Sequence, residues 1–264
     1  MINLTIGLPF QTAFHITTDC EELIGFLKLK YGKYISSSKS INAKKIIVLK
    51  NGDLYHVEFE NKISDEKSAV LAIDSILFEN TVFDESVFAL HGAAVEYNGK
   101  AYLFLASTTS GKTTLASYLT SIGFRYITDD CILLSRDTFE VFPCSTPVHL
   151  RDGGIQVLQK LNALPSGLAV LDDSFIRRHV YTPVNCTETP TPLGKIFFIS
   201  RTENENQLAE FNTTSRMSRL LHSPITVYKV TPEYLRFISS LSKTDCYELR
   251  YCDMDFVSQV IKNG

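Results

Sequence analysis

From residue 45 onward, apolar positions recur with period two in some runs and with period 3.6 in others, and the switches predict the elements. Residues 45–50 and 53–59 are apolar runs flanking Asn51-Gly52, a strong hairpin signal. In the second run Leu54, His56 and Glu58 alternate with Tyr55, Val57 and Phe59, so one face is buried. Residues 66–79 read as a helix with Val70, Ile73 and Leu77 on one side, widened by Ala69 and Ile76. A second hairpin joins Ala89-Leu-His-Gly-Ala-Ala-Val95 to Ala101-Tyr-Leu-Phe-Leu-Ala106 through the turn Asn98-Gly99. Leu115, Ala116, Leu119 and Ile122 then fall at helical spacing and stop at Gly123. Residues 124–135 are a strand-like run interrupted by Asp129-Asp130. Further on, Thr231-Pro232 starts a helix that runs to about Ser242, with Thr as cap and Pro at the first helical position. A strand at 246–251 and a last helix after Asp253, burying Phe256, Val257 and Ile261, complete the chain. Residues 152–191 are the least regular: Gly153-Gly154, Pro165, Gly167 and three prolines from Pro183 to Pro192 suit a long excursion near a site, a lid or a substrate platform.

The connection at 106–114 carries the first candidate chemistry. Ser107, Thr108, Thr109, Ser110, Gly111, Lys112, Thr113 and Thr114 lie between an apolar strand and an amphipathic helix. Such a turn points backbone N–H groups and a helix N-terminus at one spot, where an anion is stabilised. Lys112 would reach the β- and γ-phosphates of a nucleoside triphosphate, and the Thr113 hydroxyl would bind Mg²⁺. The usual pattern opens with glycine, and Ala106 stands there; a tight turn survives if its φ stays negative. Thr109 is the larger departure, because a β-branched residue tolerates positive φ poorly. The competing reading is a polar strand-to-helix loop with a capping hydroxyl.

Two neighbours bear on that choice. An adjacent acidic pair inside an apolar run is costly unless cations or hydrogen bonds compensate. One carboxylate of Asp129-Asp130 would hold the metal and the other would accept a proton from an attacking hydroxyl, Asp129 being assigned to Mg²⁺ and Asp130 to the acceptor; the alternative is an Asp-Asp turn between two strands. Counting outward from Asn98-Gly99, Tyr97 pairs with Lys100 and His91 falls opposite Ala106, within reach of the transferring group if it faces the helix, or else a packed strand residue. Arg151 is a candidate to neutralise transferred phosphate charge, against a solvated or salt-bridged role; Arg201, Arg216 and Arg219 have the same chemistry with weaker placement. Asp172-Asp173 is a rival acidic pair with no phosphate loop before it.

The combination of residues 90–115, Gly123 and Thr128-Asp-Asp-Cys-Ile-Leu-Leu134 resembles the HPr kinase/phosphorylase family, and more closely the HPr-kinase-related proteins found with peptide-modification genes. The resemblance continues more weakly through 142–150 and 195–200 to 246–251. It implies an α/β (α+β) fold: a phosphoenolpyruvate-carboxykinase-type P-loop core with a mixed sheet over 86–264, preceded by a small α+β lobe over 1–85. It further implies ATP and Mg²⁺ as cofactors, His91, Lys112 and Asp130 as catalytic residues, and self-association in rings or dimers. The implied reaction is transfer of the γ-phosphoryl group to a serine of a peptide or small protein, in ribosomal-peptide modification. Ala106 and Thr109 depart from the glycines the family often has.

Composition narrows the partners. A net charge of −3, with basic pairs only at Lys44-Lys45 and Arg177-Arg178, argues against nucleic acid. The first twenty residues lack a secretory signal and no apolar run approaches spanning length, so a cytoplasmic enzyme without membrane contact is expected. The six cysteines are scattered without a C-x-x-C pair, which points away from disulfides and zinc; Cys131, Cys144 and Cys246 read as buried thiols. A small-metabolite kinase (free serine among its acceptors) and a non-catalytic nucleotide-binding protein are the alternative functions. Lys112, Thr113 and the acidic pair argue against the second of these.

Overall fold

The computed structural model describes residues 1–7, 13–36, 43–144, 146–173, 176–226 and 228–264, and at 171–173 and 176–178 the backbone alone. The chain divides into two compact units, Met1–Asp84 and Glu85–Gly264.

The first unit contains β1 (Ile2–Gly7), β2 (Ala13–Thr18), α1 (Glu21–Tyr31), β3 (Ile35–Ser36), β4 (Lys44–Asn51), β5 (Leu54–Phe59), β6 (Lys62–Glu66) and α2 (Ala69–Val82). Its sheet runs β3-β1-β2-β4-β5-β6. The Asn51-Gly52 hairpin pairs Asn51 with Leu54 and Ile46 with Phe59. Val57 is buried, with Tyr55 and Phe59 packed on the same core as Leu23, Leu27, Ile73 and Leu77 of the helices. The expected helix at 66–79 begins later. Residues 62–66 instead extend the sheet, Glu66 pairing with Tyr55, and Ser68 caps α2 by accepting the Leu71 N–H at 3.3 Å. The apolar helical positions begin at Ala69, after the Ser68 cap, and the polar residues before it go to the edge strand.

The second unit contains β7 (Val87–Tyr97), β8 (Lys100–Leu105), α3 (Lys112–Ser121), β9 (Arg125–Thr128), β10 (Cys131–Ser135), β11 (Glu140–Phe142), β12 (Val148–Leu150), α4 (Asp152–Lys160), β13 (Ala169–Asp173), β14 (Ile176–Tyr181), β15 (Thr191–Arg201), β16 (Gln207–Glu210), α5 (Thr213–Leu221), α6 (Pro232–Leu241), β17 (Cys246–Tyr251) and α7 (Met254–Lys262). The main sheet is mixed, in the order β11-β10-β7-β8-β15-β17-β16, with β9 also on β7. β8 and β17 both run parallel to β15, whereas β7 is antiparallel to β8. Alternation along β8 buries both of its faces: Tyr102 and Phe104 join Leu115, Leu119 and Val257, while Leu103 and Leu105 join Leu220 and Ile238. Helices α3 and α7 therefore cover one face and α5 and α6 the other, which is why 101–105 reads as an unbroken apolar run. The architecture is mixed α/β, and among the described residues no helix is long and apolar enough to cross a membrane.

β7 changes partners along its length, and the site depends on this. Val87 to His91 pair with β10, Gly92 to Tyr97 pair with β8 on the opposite edge, and Ala94 to Glu96 pair with β9. β9 and β10 are thus two halves of one antiparallel passage along β7, parted at Asp129-Asp130, where Gly92 N–H donates to the Asp130 carbonyl at 3.2 Å. Thr231 caps α6 by accepting the Tyr234 N–H, with Pro232 in the first turn, as the sequence predicts.

Residues 152–191 are more regular than their pattern. α4 is followed by β13 and β14, which form a separate three-stranded sheet with β12. The glycines that suggested a loop sit inside the first turn of α4. A Cβ at Gly154 would lie 2.8 Å from Thr114 Oγ1, so glycine there lets α4 approach α3 closely. Asp172 and Asp173 fall on β13 opposite Arg177 and Ile176, with side chains outside the described residues. Two smaller corrections concern packing. Ile122 is the C-cap of α3 and exposed, and in α7 Met254 is buried where Phe256 is only half-buried.

Candidate functional site

The loop after β8 begins at Ala106, whose φ is negative, and turns at Thr109, whose φ is +68°. A β-branched residue in the left-handed region is strained, and only local bonds hold it there. The Ser110 hydroxyl donates to the Ser107 carbonyl at 2.8 Å and the Thr109 hydroxyl to the Thr108 carbonyl at 2.5 Å. Gly111 then adopts φ +92° as the N-cap of α3, its carbonyl accepting the Leu115 N–H at 2.9 Å. This left-handed residue aims the first amide groups of the helix across the loop, a position open to glycine at little cost. Thr109→Gly should remove the strain at its own position and stabilise the unit by roughly 0.5–1 kcal/mol. A urea midpoint that falls instead would show that the side-chain bonds outweigh the backbone strain.

Lys112 is the first residue of α3 and is buried. Its Nζ donates to the carbonyls of Ala106 and Ser107, both at 2.9 Å, closing the loop into a ring. Burial lowers its pKa from the ordinary lysine value, with the charges of Asp130 and Asp129 opposing that shift. Thr113 follows, its hydroxyl near enough to the Asp129 carboxylate to favour the charged form. The Tyr126 hydroxyl, fully buried beneath, donates to Asp129 Oδ1 at 2.6 Å. Burial pushes the Asp129 carboxyl up to about 6; the charge of Asp130 adds to this and the two hydroxyls oppose it. Asp130 differs. Its side chain is 76% exposed, and its Oδ1 lies 3.5 Å from His91 Nδ1.

His91 is placed by β10 as well as by the hairpin. Tyr97 does pair with Lys100, but the β7–β8 ladder ends at Gly92↔Leu105, one pair short of Ala106. At that point β8 leaves the sheet as the loop, and His91 pairs across its other edge with Cys131, next to Asp130. The expected register therefore gives the distance to the loop and misses the direct partner. Burial, with the Lys112 charge, lowers the His91 pKa against the opposing charge of Asp130, so the imidazole is neutral at pH 7. Its Nε2 is buried without a hydrogen-bond partner among the described residues.

Thr108, Ser107 and Ser110 lie on the exposed side of the same loop, and Thr114 faces Gly154. Arg151 is exposed and is the N-cap of α4, three residues before Gly154. Sequence reasoning gave little weight to Arg201 and Arg219. These line a cavity of about 510 Å³ whose other wall is the loop itself, at Ser107, Thr109, Ser110 and Gly111.

The fold and the site thus define a mixed α/β protein with a glycine-ended strand–loop–helix junction after β8 and a carboxylate pair in the break between β9 and β10, both of which pair with β7. No protein-family model matches the sequence, and no curated protein matches it. A similar solved structure is the HPr(Ser) kinase/phosphatase from Coxiella burnetii, 9% identical, over 66% of this chain and 94% of that one, with a TM-score of 0.34.

Proposed function

We propose that the protein is an ATP-dependent kinase that transfers the γ-phosphoryl group to a hydroxyl, a serine of a peptide or small protein. The observation that carries this reading is the convergence of Lys112, the Thr113–Asp129 pair and the His91–Asp130 pair around the end of one strand. The donor set fits the cofactor. A carboxylate and a hydroxyl already near each other are hard oxygen ligands of the kind Mg²⁺ takes, completed by water and nucleotide phosphates rather than by an all-protein cage. When bound, Mg·ATP supplies the phosphoryl group and neutralises part of its charge.

The chain's own residues divide the remaining work. Gly111 and the N-terminus of α3 orient amide groups toward phosphate, and Lys112 brings a cation to the same loop. Asp129, held by Tyr126, serves the metal; Asp130, turned to solvent, receives the proton of the incoming hydroxyl. His91 holds Asp130 from the sheet side. The choice of serine and of a peptide acceptor rests on the resemblance of residues 90–134 to the HPr kinase family, and that of a cytoplasmic setting on composition.

Asp130→Asn should bind Mg·ATP within about threefold of the parent and lose transfer by on the order of 10²–10⁴-fold. Asp129→Asn should also weaken nucleotide binding and flatten its dependence on Mg²⁺. Calorimetric titration of ATP with and without Mg²⁺, beside transfer of labelled γ-phosphate, separates the two. Normal metal–nucleotide binding and normal transfer by both variants would leave the pair a structural turn.

A further inference from the structure

The cavity against the loop has a charge pattern of its own. β8 lies between β7 and β15, and the two flanks differ in sign. On the β7 side stand Asp129 and Asp130; on the β15 side the lining residues include Arg201 and Arg219 and no carboxylate. Arg201 ends β15 and forms no ion pair among the described residues. Arg219, on α5, is held in place. Its guanidinium lies 4.6 Å from the Phe211 ring centre and 5.6 Å from that of Phe198, with Glu248 Oε1 3.4 Å away. Stacking fixes the plane of the group, and its remaining in-plane N–H donors stay available. One contact at 3.4 Å uses little of a five-donor fork.

Behind the loop, next to the cavity's lining residues Gly111 and Arg201, one buried donor is unused in the same sense. Tyr251 pairs with Arg201 across β15 and β17, and its side chain is 1% exposed. Its hydroxyl has no hydrogen-bond partner among the described residues and lies 3.6 Å from where a Cβ on Gly111 would stand. A buried hydroxyl without a partner costs about 1–3 kcal/mol, and here it sits between the loop and the arginine side.

We infer that this cavity seats an anionic group, a carboxylate or phosphate, carried by the phosphoryl acceptor and held by Arg201 and Arg219. The inference rests on the kinase reading above and gives the acceptor a chemical class. The triphosphate already has the loop amides, Lys112 and the metal site on the β7 side, so two further guanidinium groups on the opposite flank are surplus to it. A guanidinium fork matches a planar carboxylate or a phosphate face in a bidentate way, and a second anion beside a triphosphate needs such cations to offset repulsion.

The test loads the full-length protein with Mg²⁺ and a non-hydrolysable ATP analogue, filling the loop, and then titrates inorganic phosphate and, separately, N-acetyl-L-glutamate by calorimetry. A saturable site for at least one anion is expected, and the anion that binds more tightly names the acceptor's group. Arg201→Gln and Arg219→Gln should each weaken that binding by about tenfold or more while changing analogue affinity less than about twofold. Failure of the loaded protein to bind either anion, or binding unchanged in both variants, overturns the inference and leaves the kinase reading standing. Loss of analogue affinity in the arginine variants overturns it too, because the pair would then serve the nucleotide. If the parent protein binds no analogue at all, the kinase reading falls and this inference falls with it.

Discussion

Lys112→Ala is expected to lower phosphoryl transfer by at least about 10²–10³-fold, the scale of losing one preorganised electrostatic contact in a site shielded from water. The residue is placed for a large effect, because its ammonium group is buried in the ring of the loop and faces both acidic side chains. The variant should still fold. Removing the side chain leaves the Ala106 and Ser107 carbonyls beside an exposed loop, where water replaces the lost donor, so the cost in stability stays near 1 kcal/mol. Single-turnover transfer of labelled phosphate gives the first quantity and thermal unfolding the second. Transfer by the variant at the parent's rate would refute the assignment of the loop as the phosphate site. A collapse of the melting temperature would instead mean that Lys112 is chiefly a structural clamp.

The second large effect belongs to stability. A Cβ at Gly92 would lie 2.7 Å from Ile132 Cδ1, from Leu105 Cδ2 and from the Phe104 carbonyl oxygen. The first two are ends of flexible side chains, but the third is backbone of the strand paired with β7, and it cannot retreat without breaking the ladder. Gly92→Ala should therefore cost about 3 kcal/mol, at the upper end for overpacking, and lower the melting temperature by about 6–12 °C. Gly153→Ala is the control: it lies in α4 with open space around it and should gain about 0.5–1 kcal/mol. The strain has a functional side as well. Gly92 adjoins His91 in sequence and binds the Asp130 carbonyl, so any shift of β7 moves both. Equal melting temperatures for Gly92→Ala and the parent would disprove the close packing.

What was legible in the sequence was local. The Asn98-Gly99 turn sets the pairing of Tyr97 with Lys100, and Gly111 at a strand-to-helix junction takes the left-handed conformation such a junction demands. The strain at Thr109 could be foreseen, because a phosphate-type loop needs positive φ where this chain carries a β-branched side chain. The capped start of α6 was equally readable.

What stayed hidden depends on residues far apart in sequence. The switch of β7 from β8 to β10 at Gly92 leaves no mark in alternation, so the register count reaches Ala106 and misses Cys131 and Asp130 as the neighbours of His91. Glycines disguised α4, since Gly154 serves a contact with Thr114 at the expense of helix propensity. The strands β1 and β2 lack flanking turn signals as sharp as Asn51-Gly52, so their alternation does not stand out in the sequence. Arg201 and Arg219 share no motif at all. Arg219 reaches the cavity because α5 lies over the face of β15 that carries Phe198, and Arg201 reaches it because it ends that strand.

The parallel pairing of β8 with β15 has a consequence for how the molecule is assembled. The β7–β8 hairpin closes over a two-residue turn, whereas Leu105 meets Phe198 only after everything from α3 to β14 has been made. Non-local pairing of this kind is slow, and during synthesis the loop strand emerges long before its second neighbour. Until Thr191 has left the ribosome, β8 is an apolar edge, with Leu103 and Leu105 bare on one side and Phe104 on the other. Such an edge invites pairing with other chains. Fragments cut before Thr191 will tend to aggregate, and the nascent chain has the loop at 106–111 before it has the arginine wall that completes the cavity.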